Sequence, residues 1–135
     1  MRILMVDDDE DILELYQEFV NSFTTSIQIK MEILLAKDGN EAVDTLKTEQ
    51  VDLVITDLKM PNKDGYDLIK EARAQPNNSQ LSFILVTGMM KEIETLLDEK
   101  DLEFVYVVEK PINNKKFQRL LKLYLAKSIK SDAAS

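Results

Sequence analysis

Apolar residues along this chain come in two rhythms, and the two alternate from end to end. Residues 2–6 (RILMV), 53–56 (LVIT), 83–86 (FILV) and 104–108 (FVYVV) are short runs, apolar on both faces. Such runs suit the inner strands of a parallel sheet and are too short for helices. A looser stretch, 24–36, passes from Thr-Thr-Ser through alternating Ile27, Ile29 and Met31 to Ile33-Leu34-Leu35, and reads as a strand with a loose entrance. Between the runs the spacing changes to three and four. From about Asp9 the apolar positions are Ile12, Leu15, Tyr16, Phe19, Val20 and Phe23, with acids in the first turn, where a helix dipole favours them. A second helix takes Asn40 as its cap and runs through Ala42, Val43 and Leu46 to about Thr48. A third covers 66–74 with Leu68, Ile69 and Ala72 inward, and a fourth covers 91–99 with Ile93, Leu96 and Leu97. Asn113 caps a fifth, with Phe117, Leu120, Leu121, Tyr124 and Leu125 on one face.

Breaks fall where turn chemistry is concentrated. Lys37-Asp38-Gly39 and Lys63-Asp64-Gly65 read as turns, Met60-Pro61 stops regular structure, and Gln75-Pro76-Asn77-Asn78-Ser79 reads as a polar loop. Five strands alternating with five helices over short connections imply parallel strands and right-handed crossovers, hence a three-layer α/β sandwich. One domain, 1–128, accounts for the pattern, followed by a short, polar, frayed tail at 129–135.

Composition narrows the chemistry. The 135 residues contain no cysteine and no histidine, which rules out a thiol nucleophile, a Ser-His-Asp triad, a phosphohistidine donor role and a zinc site of nitrogen or sulfur ligands. No run approaches the length of a membrane span and the N-terminus lacks signal-peptide character, so a cytoplasmic, soluble chain without membrane insertion is expected. A net charge of -8 argues against nucleic acid as a partner. The charge is uneven, however. Residues 7–14 hold six acids, while 110–131 hold seven bases and no acid.

The polar residues that close the strands carry the functional argument. Asp7 and Asp8 follow the first strand, Asp57 ends the third, Thr87 the fourth, and Lys110 follows the fifth. A parallel sheet delivers all these ends to one edge, where ligands sit at the reversal of strand order. Two carboxylates about 4 Å apart repel by roughly 4 kcal/mol at an effective dielectric near 20, so such a cluster takes up a proton or a cation. An all-oxygen set with open positions suits Mg²⁺. Asp57 then serves as a nucleophile toward phosphorus, with Lys110 and Thr87 as donors to phosphoryl oxygens. Plainer readings stand beside these: Asp57 as a polar strand terminator, Lys59 as a solvated lysine, Asp9 as a helix start, and Met60, Met89 and Met90 as packing.

At these residues the chain resembles the receiver domain of two-component response regulators, the fold of the chemotaxis protein CheY. The resemblance runs from ILMVDD (3–8) through TDLKMP and DG to VTG (86–88) and EKP (109–111). It implies a flavodoxin-like, doubly wound five-stranded parallel sheet with five helices. It further implies Asp57 as phospho-acceptor, Asp8 and Asp57 as direct Mg²⁺ ligands, Asp7 through water, the Lys59 carbonyl as the remaining protein ligand, Thr87 as switch hydroxyl and Lys110 as the family's lysine. The Lys110-Pro111 bond is expected to be cis.

Two positions depart from the family's pattern. Val107 stands where the switch aromatic is usual, with Tyr106 one residue earlier on the opposite face, and Lys59 places a long cation two residues after the acceptor. The implied function is a stand-alone response regulator, not an enzyme beyond its own phosphorylation and dephosphorylation. It takes phosphoryl groups from a sensor histidine kinase or histidine phosphotransfer protein, within a phosphorelay or a two-component pair, and signals to a downstream protein target. The alternative is a pseudo-receiver, an interaction module independent of phosphorylation. A turnover phosphatase is disfavoured because Lys59 stands where a second aspartate is needed. Flavin binding is disfavoured because the first strand opens into acids instead of a phosphate-cradling loop.

Overall fold

The computed structural model of the chain describes residues 1–88, 90–91 and 103–134, with side chains described as far as residue 127. In chain order the elements are β1 (Arg2–Val6), α1 (Glu10–Ile27), β2 (Glu32–Ala36), α2 (Gly39–Thr48), β3 (Leu53–Asp57) and α3 (Gly65–Ala74). A 3-10 turn (Pro76–Asn78), β4 (Ser82–Thr87), β5 (Val105–Glu109) and α4 (Asn114–Ala134) complete them. The strands form one sheet in the order β2-β1-β3-β4-β5, every pair parallel. From β1 the chain steps outward to β2 and then back across β1 to β3, so the strand order reverses between β1 and β3. This is the parallel, three-layer architecture expected from the alternation of elements, and the doubly wound, flavodoxin-like order that the resemblance implies.

Two apolar layers flank the sheet. Leu4, Val6, Val54, Phe83 and Leu85 pack with residues of α2 and α3, while Ile3, Met5, Leu53, Ile55, Ile84 and Val86 pack with residues of α1 and α4. β3 is buried along its whole length, which explains a sequence apolar on both faces. Among the described side chains of α4, Phe117, Leu121 and Tyr124 are buried, flanked by partly buried Leu120 and Leu125. Complete burial of side chains such as Phe117 and Leu121 contributes roughly 1.5–3 kcal/mol each.

Several boundaries differ from the sequence reading. α1 continues through Ile27, where a strand entrance was expected from residue 24, and β2 begins only at Glu32. The hydroxyls of Thr24 and Thr25 donate to the Asn21 carbonyl and that of Ser26 to the Phe23 carbonyl, so these residues are satisfied within the helix. Gln28 then ends it in the left-handed region at φ 57. Asp38, not Asn40, caps α2, its carboxylate accepting from the Glu41 amide at 2.8 Å. Asp64 caps α3 in the same way through the Asp67 amide, and that helix begins at Gly65. The polar loop at 75–79 contains the 3-10 turn, with Asn78 buried and bonded to Gln75. Phe104, at φ 63, stands just before β5. Asn113 caps α4 as expected, through the Lys116 amide, but the helical backbone runs on to Ala134, through the residues expected to fray. Four α-helices are present among the described residues; the helix expected at 91–99 lies outside them after Lys91, including Ile93, Leu96 and Leu97, as does Met89.

Candidate functional site

Register places the strand-end residues together. Val6 pairs with Thr56 across the reversal point, so Asp7 and Asp57 emerge side by side from β1 and β3. Asp57 pairs with Val86, and Thr87 is the next residue along β4. The Lys110 amide donates to the Thr87 carbonyl at 2.8 Å, which returns the chain after β5 toward the site. The Lys110-Pro111 bond is cis.

The centre of the site is an ion pair. The Lys110 ammonium lies 2.5 Å from Oδ2 of Asp57, with the lysine side chain 41% exposed and the aspartate side chain 10%. Oδ1 of Asp57 accepts from the Lys59 amide at 3.3 Å. Asp7 is 3% exposed and its Oδ1 accepts from the Asp9 amide at 2.9 Å, while Asp9 itself caps α1. Burial pushes the Asp7 carboxyl up to about 6; the Asp9 amide opposes the rise, the neighbouring Asp57 charge adds to it, Lys110 opposes it and Asp8 adds to it. Beneath them the Tyr16 hydroxyl is pushed up to about 12, first by burial and then by the charges of Asp7 and Asp57. Thr87 is buried, whereas Asp8 and Lys59 are exposed at the rim. Asp7 and Asp57 are therefore the buried carboxylates, Asp57 paired with exposed Lys110, and Thr87 stands beside them at the end of β4.

The donor set fits a hard divalent ion that keeps most of its water. Asp7, Asp8 and Asp57 against one Lys110 leave a formal surplus of two negative charges, and the charges of Asp57 and Asp8 add to the rise that burial causes in the Asp7 carboxyl. Among the described residues no three carboxylates gather at metal-holding distances. Asp7, Asp8 and Asp57 could therefore hold a hard divalent ion only through one or two carboxylates with water completing its shell, the mode Mg²⁺ prefers. A cleft of about 680 Å³ lined by residues 46–52 and 77–81 lies at the other end of the strands, remote from Asp57.

Residues taken from the sequence as turn formers shape this site by close approach. Gly65 and Gly39 both lack positive φ and open helices. A Cβ on Gly65 would stand 2.5 Å from the Asp57 carbonyl oxygen and 3.1 Å from the Leu58 Cα. One on Gly39 would stand 2.5 Å from the Lys63 carbonyl oxygen. The Asp-Gly pairs at 38–39 and 64–65 were the available signal, an N-cap followed by the one residue with no side chain to collide. Asn62, at φ 69, was also missed; its amide donates to Asp38 at 3.1 Å.

The family described as Response regulator receiver domain matches residues 3–122. The transcriptional regulatory protein CpxR of Klebsiella pneumoniae is 29% identical over 127 residues, covering 94% of this chain and 50% of that protein. The chain thus spans about half the length of this curated relative. Among solved structures, a two component transcriptional regulator AraC from Clostridium phytofermentans superposes with a TM-score of 0.82 at 22% identity, covering 98% of each chain. The chemotaxis response regulator CheY4 of Vibrio cholerae superposes with a TM-score of 0.77 at 20% identity, covering 91% of this chain and 97% of that one.

Proposed function

The chain belongs to the response regulator receiver domain family, and from that premise we propose that it accepts a phosphoryl group on Asp57 from a histidine kinase or histidine phosphotransfer protein and signals by altered contacts with a protein target. The observation that carries this reading is the Asp57–Lys110 ion pair at the reversal of strand order, with the buried Asp7 beside it. In the reaction a carboxylate oxygen of Asp57 forms the new O–P bond while the P–N bond of the donor's phosphohistidine breaks, the electron pair staying with the imidazole nitrogen. Asp8, Asp57, the Lys59 carbonyl and Asp7 would hold Mg²⁺, which would supply charge neutralisation to the phosphoryl oxygens. Lys110 exchanges its Asp57 oxygen for a phosphoryl oxygen, keeping a charge-assisted hydrogen bond throughout. Thr87 donates its hydroxyl to another phosphoryl oxygen and so is drawn toward Asp57. Turnover is limited to this chain's own acyl phosphate, so the protein is a switch. A cytoplasmic location belongs to the same reading; among the described residues no helix is long and apolar enough to cross a membrane.

Incubation with acetyl phosphate and Mg²⁺ followed by intact mass measurement tests this. The expected result is one phosphoryl adduct on the wild-type chain and none on Asp57→Asn. Equal labelling of both proteins removes Asp57 as acceptor, and no labelling of either supports the phosphorylation-independent module instead.

A further inference from the structure

The loop of residues 58–64 between β3 and α3 carries Lys59, and it is fixed at two places. At its base it closes on itself: the Gly65 amide donates to the Leu58 carbonyl at 2.7 Å. At its tip it is fixed by a different element, the start of α2. Asp38 uses both carboxylate oxygens there, one accepting from the Glu41 amide at 2.8 Å to cap the helix, the other from Nδ2 of Asn62 at 3.1 Å. Asn62 holds a left-handed backbone at φ 69, which Asn tolerates better than most residues. The next residue, Lys63, rests its carbonyl, Cβ and Cγ where a Cβ on Gly39 would lie, at 2.5, 2.8 and 2.9 Å. Lys63 also pairs with Glu71 of α3 and donates its amide to Pro61 at 2.8 Å.

This second anchor has a consequence for the near limb of the loop. The Lys59 amide donates to Oδ1 of Asp57 at 3.3 Å, and Asn62 lies only three residues further along the backbone. We propose that the Asp38–Asn62 hydrogen bond, with Gly39 seated against Lys63, is a latch that positions the 58–64 loop for Mg²⁺ binding beside Asp57, making Asp38, Gly39 and Asn62 positioning residues of the site. The inference rests on the phospho-acceptor reading above and adds α2, an element with no residue among the proposed ligands, to the machinery. A latch of this kind acts by preorganisation: the loop carbonyl is presented to the ion without an ordering cost at the moment of binding.

Isothermal titration of Mg²⁺ into the full chain decides it, with thermal unfolding in Mg²⁺-free buffer as the control. Asn62→Gly deletes the amide while accepting the positive φ, and is expected to weaken Mg²⁺ binding by about tenfold, as loss of an outer-shell partner does, with little change in metal-free melting. The exchange Asp38→Asn with Asn62→Asp keeps the cap, the net charge and a donor-acceptor pair in reversed order, and is expected to restore most of the affinity. An unchanged Mg²⁺ affinity in Asn62→Gly, or failure of the exchange to restore a lost one, overturns the latch while leaving the acceptor reading intact. Absence of Mg²⁺ binding by the wild-type chain overturns the metal-dependent reading itself, and the latch with it. Should Asn62→Gly lose its fold, Gly39→Ala, which presses a methyl on the Lys63 carbonyl, is expected to show the same loss of affinity, and unchanged binding there is equally fatal.

Discussion

Thr87 and Tyr106 occupy opposite faces of the sheet. Thr87 alternates with Leu85 and Phe83 on the side of α2 and α3, whereas Tyr106 pairs in register with Ile84 and packs with the layer of α1 and α4. The Lys127 ammonium lies 5.3 Å from the Tyr106 ring centroid, adding a cation-π contact from α4. Val107 lies on the Thr87 side of β5, together with Val105. A β-branched side chain there has few rotamers and no ring to swing inward when Thr87 moves.

The first prediction follows for output. Phosphorylation is expected to change partner affinity toward the low end of the ordinary allosteric range, about 1 kcal/mol. The exposed bases Lys115, Lys116, Arg119 and Lys122 on α4 are the expected contact for an acidic partner, since among the described residues none of them is in an ion pair. NMR shift mapping with and without beryllofluoride is the measurement. Changes reaching residues 113–122 support this surface; changes confined to the loops around Asp57 remove it from the switch.

Mg²⁺ is expected to stabilise the fold by about 2.7 kcal/mol at a hundredfold excess over its dissociation constant. Asp8→Ala should lose most of that gain. Melting curves of both proteins with and without Mg²⁺ provide the check, and equal shifts exclude Asp8 as a ligand.

Asp7 makes stability pH-dependent in Mg²⁺-free buffer. Its folded value of about 6 lies above the ordinary 3.8. Between those values the folded state holds more protons than the unfolded, so stability falls as pH rises from about 4 to 6 and stays reduced above. Asp7→Asn removes the ionisation and keeps an acceptor for the Asp9 amide. It should therefore be more stable than wild type by about 1–3 kcal/mol at pH 8 and no more stable near pH 4. Urea unfolding at the two pH values tests the sign; no gain in stability at pH 8 refutes the raised Asp7 carboxyl.

Gly65→Ala should destabilise the fold by about 1–3 kcal/mol, the usual cost of overpacking, despite the better helix propensity of Ala. The added Cβ would stand 2.5 Å from the Asp57 carbonyl oxygen, so phosphoryl uptake should slow as well. Chemical denaturation and a labelling time course measure the two effects; a more stable variant refutes the close approach.

The sequence by itself determined the elements whose signal is local. Runs apolar on both faces marked the buried strands, three-to-four spacing marked the helices, and the acids, hydroxyl and lysine at the ends of those strands marked the edge where Asp7, Asp57, Thr87 and Lys110 meet, because parallel strands deliver their ends together. Placing Tyr106 and Val107 on opposite faces needed only the two-residue period of a strand. What required the tertiary structure was every property set by contacts distant in sequence. The helical continuation through Thr24, Thr25 and Ser26 and Ile27 outcompeted a strand that their side chains equally allow. The burial of Asp7 against the exposure of Asp8 depends on how β1 meets β3, not on the identical chemistry of the two residues. Asp38 and Asn62, 24 residues apart, meet only because α2 starts beside the 58–64 loop, and Gly39 and Gly65 are needed for closeness to Lys63 and Asp57, not for an unusual φ. A local pattern encodes which face of an element is apolar; it does not encode the distance between two loops, which the packing of the layers alone decides.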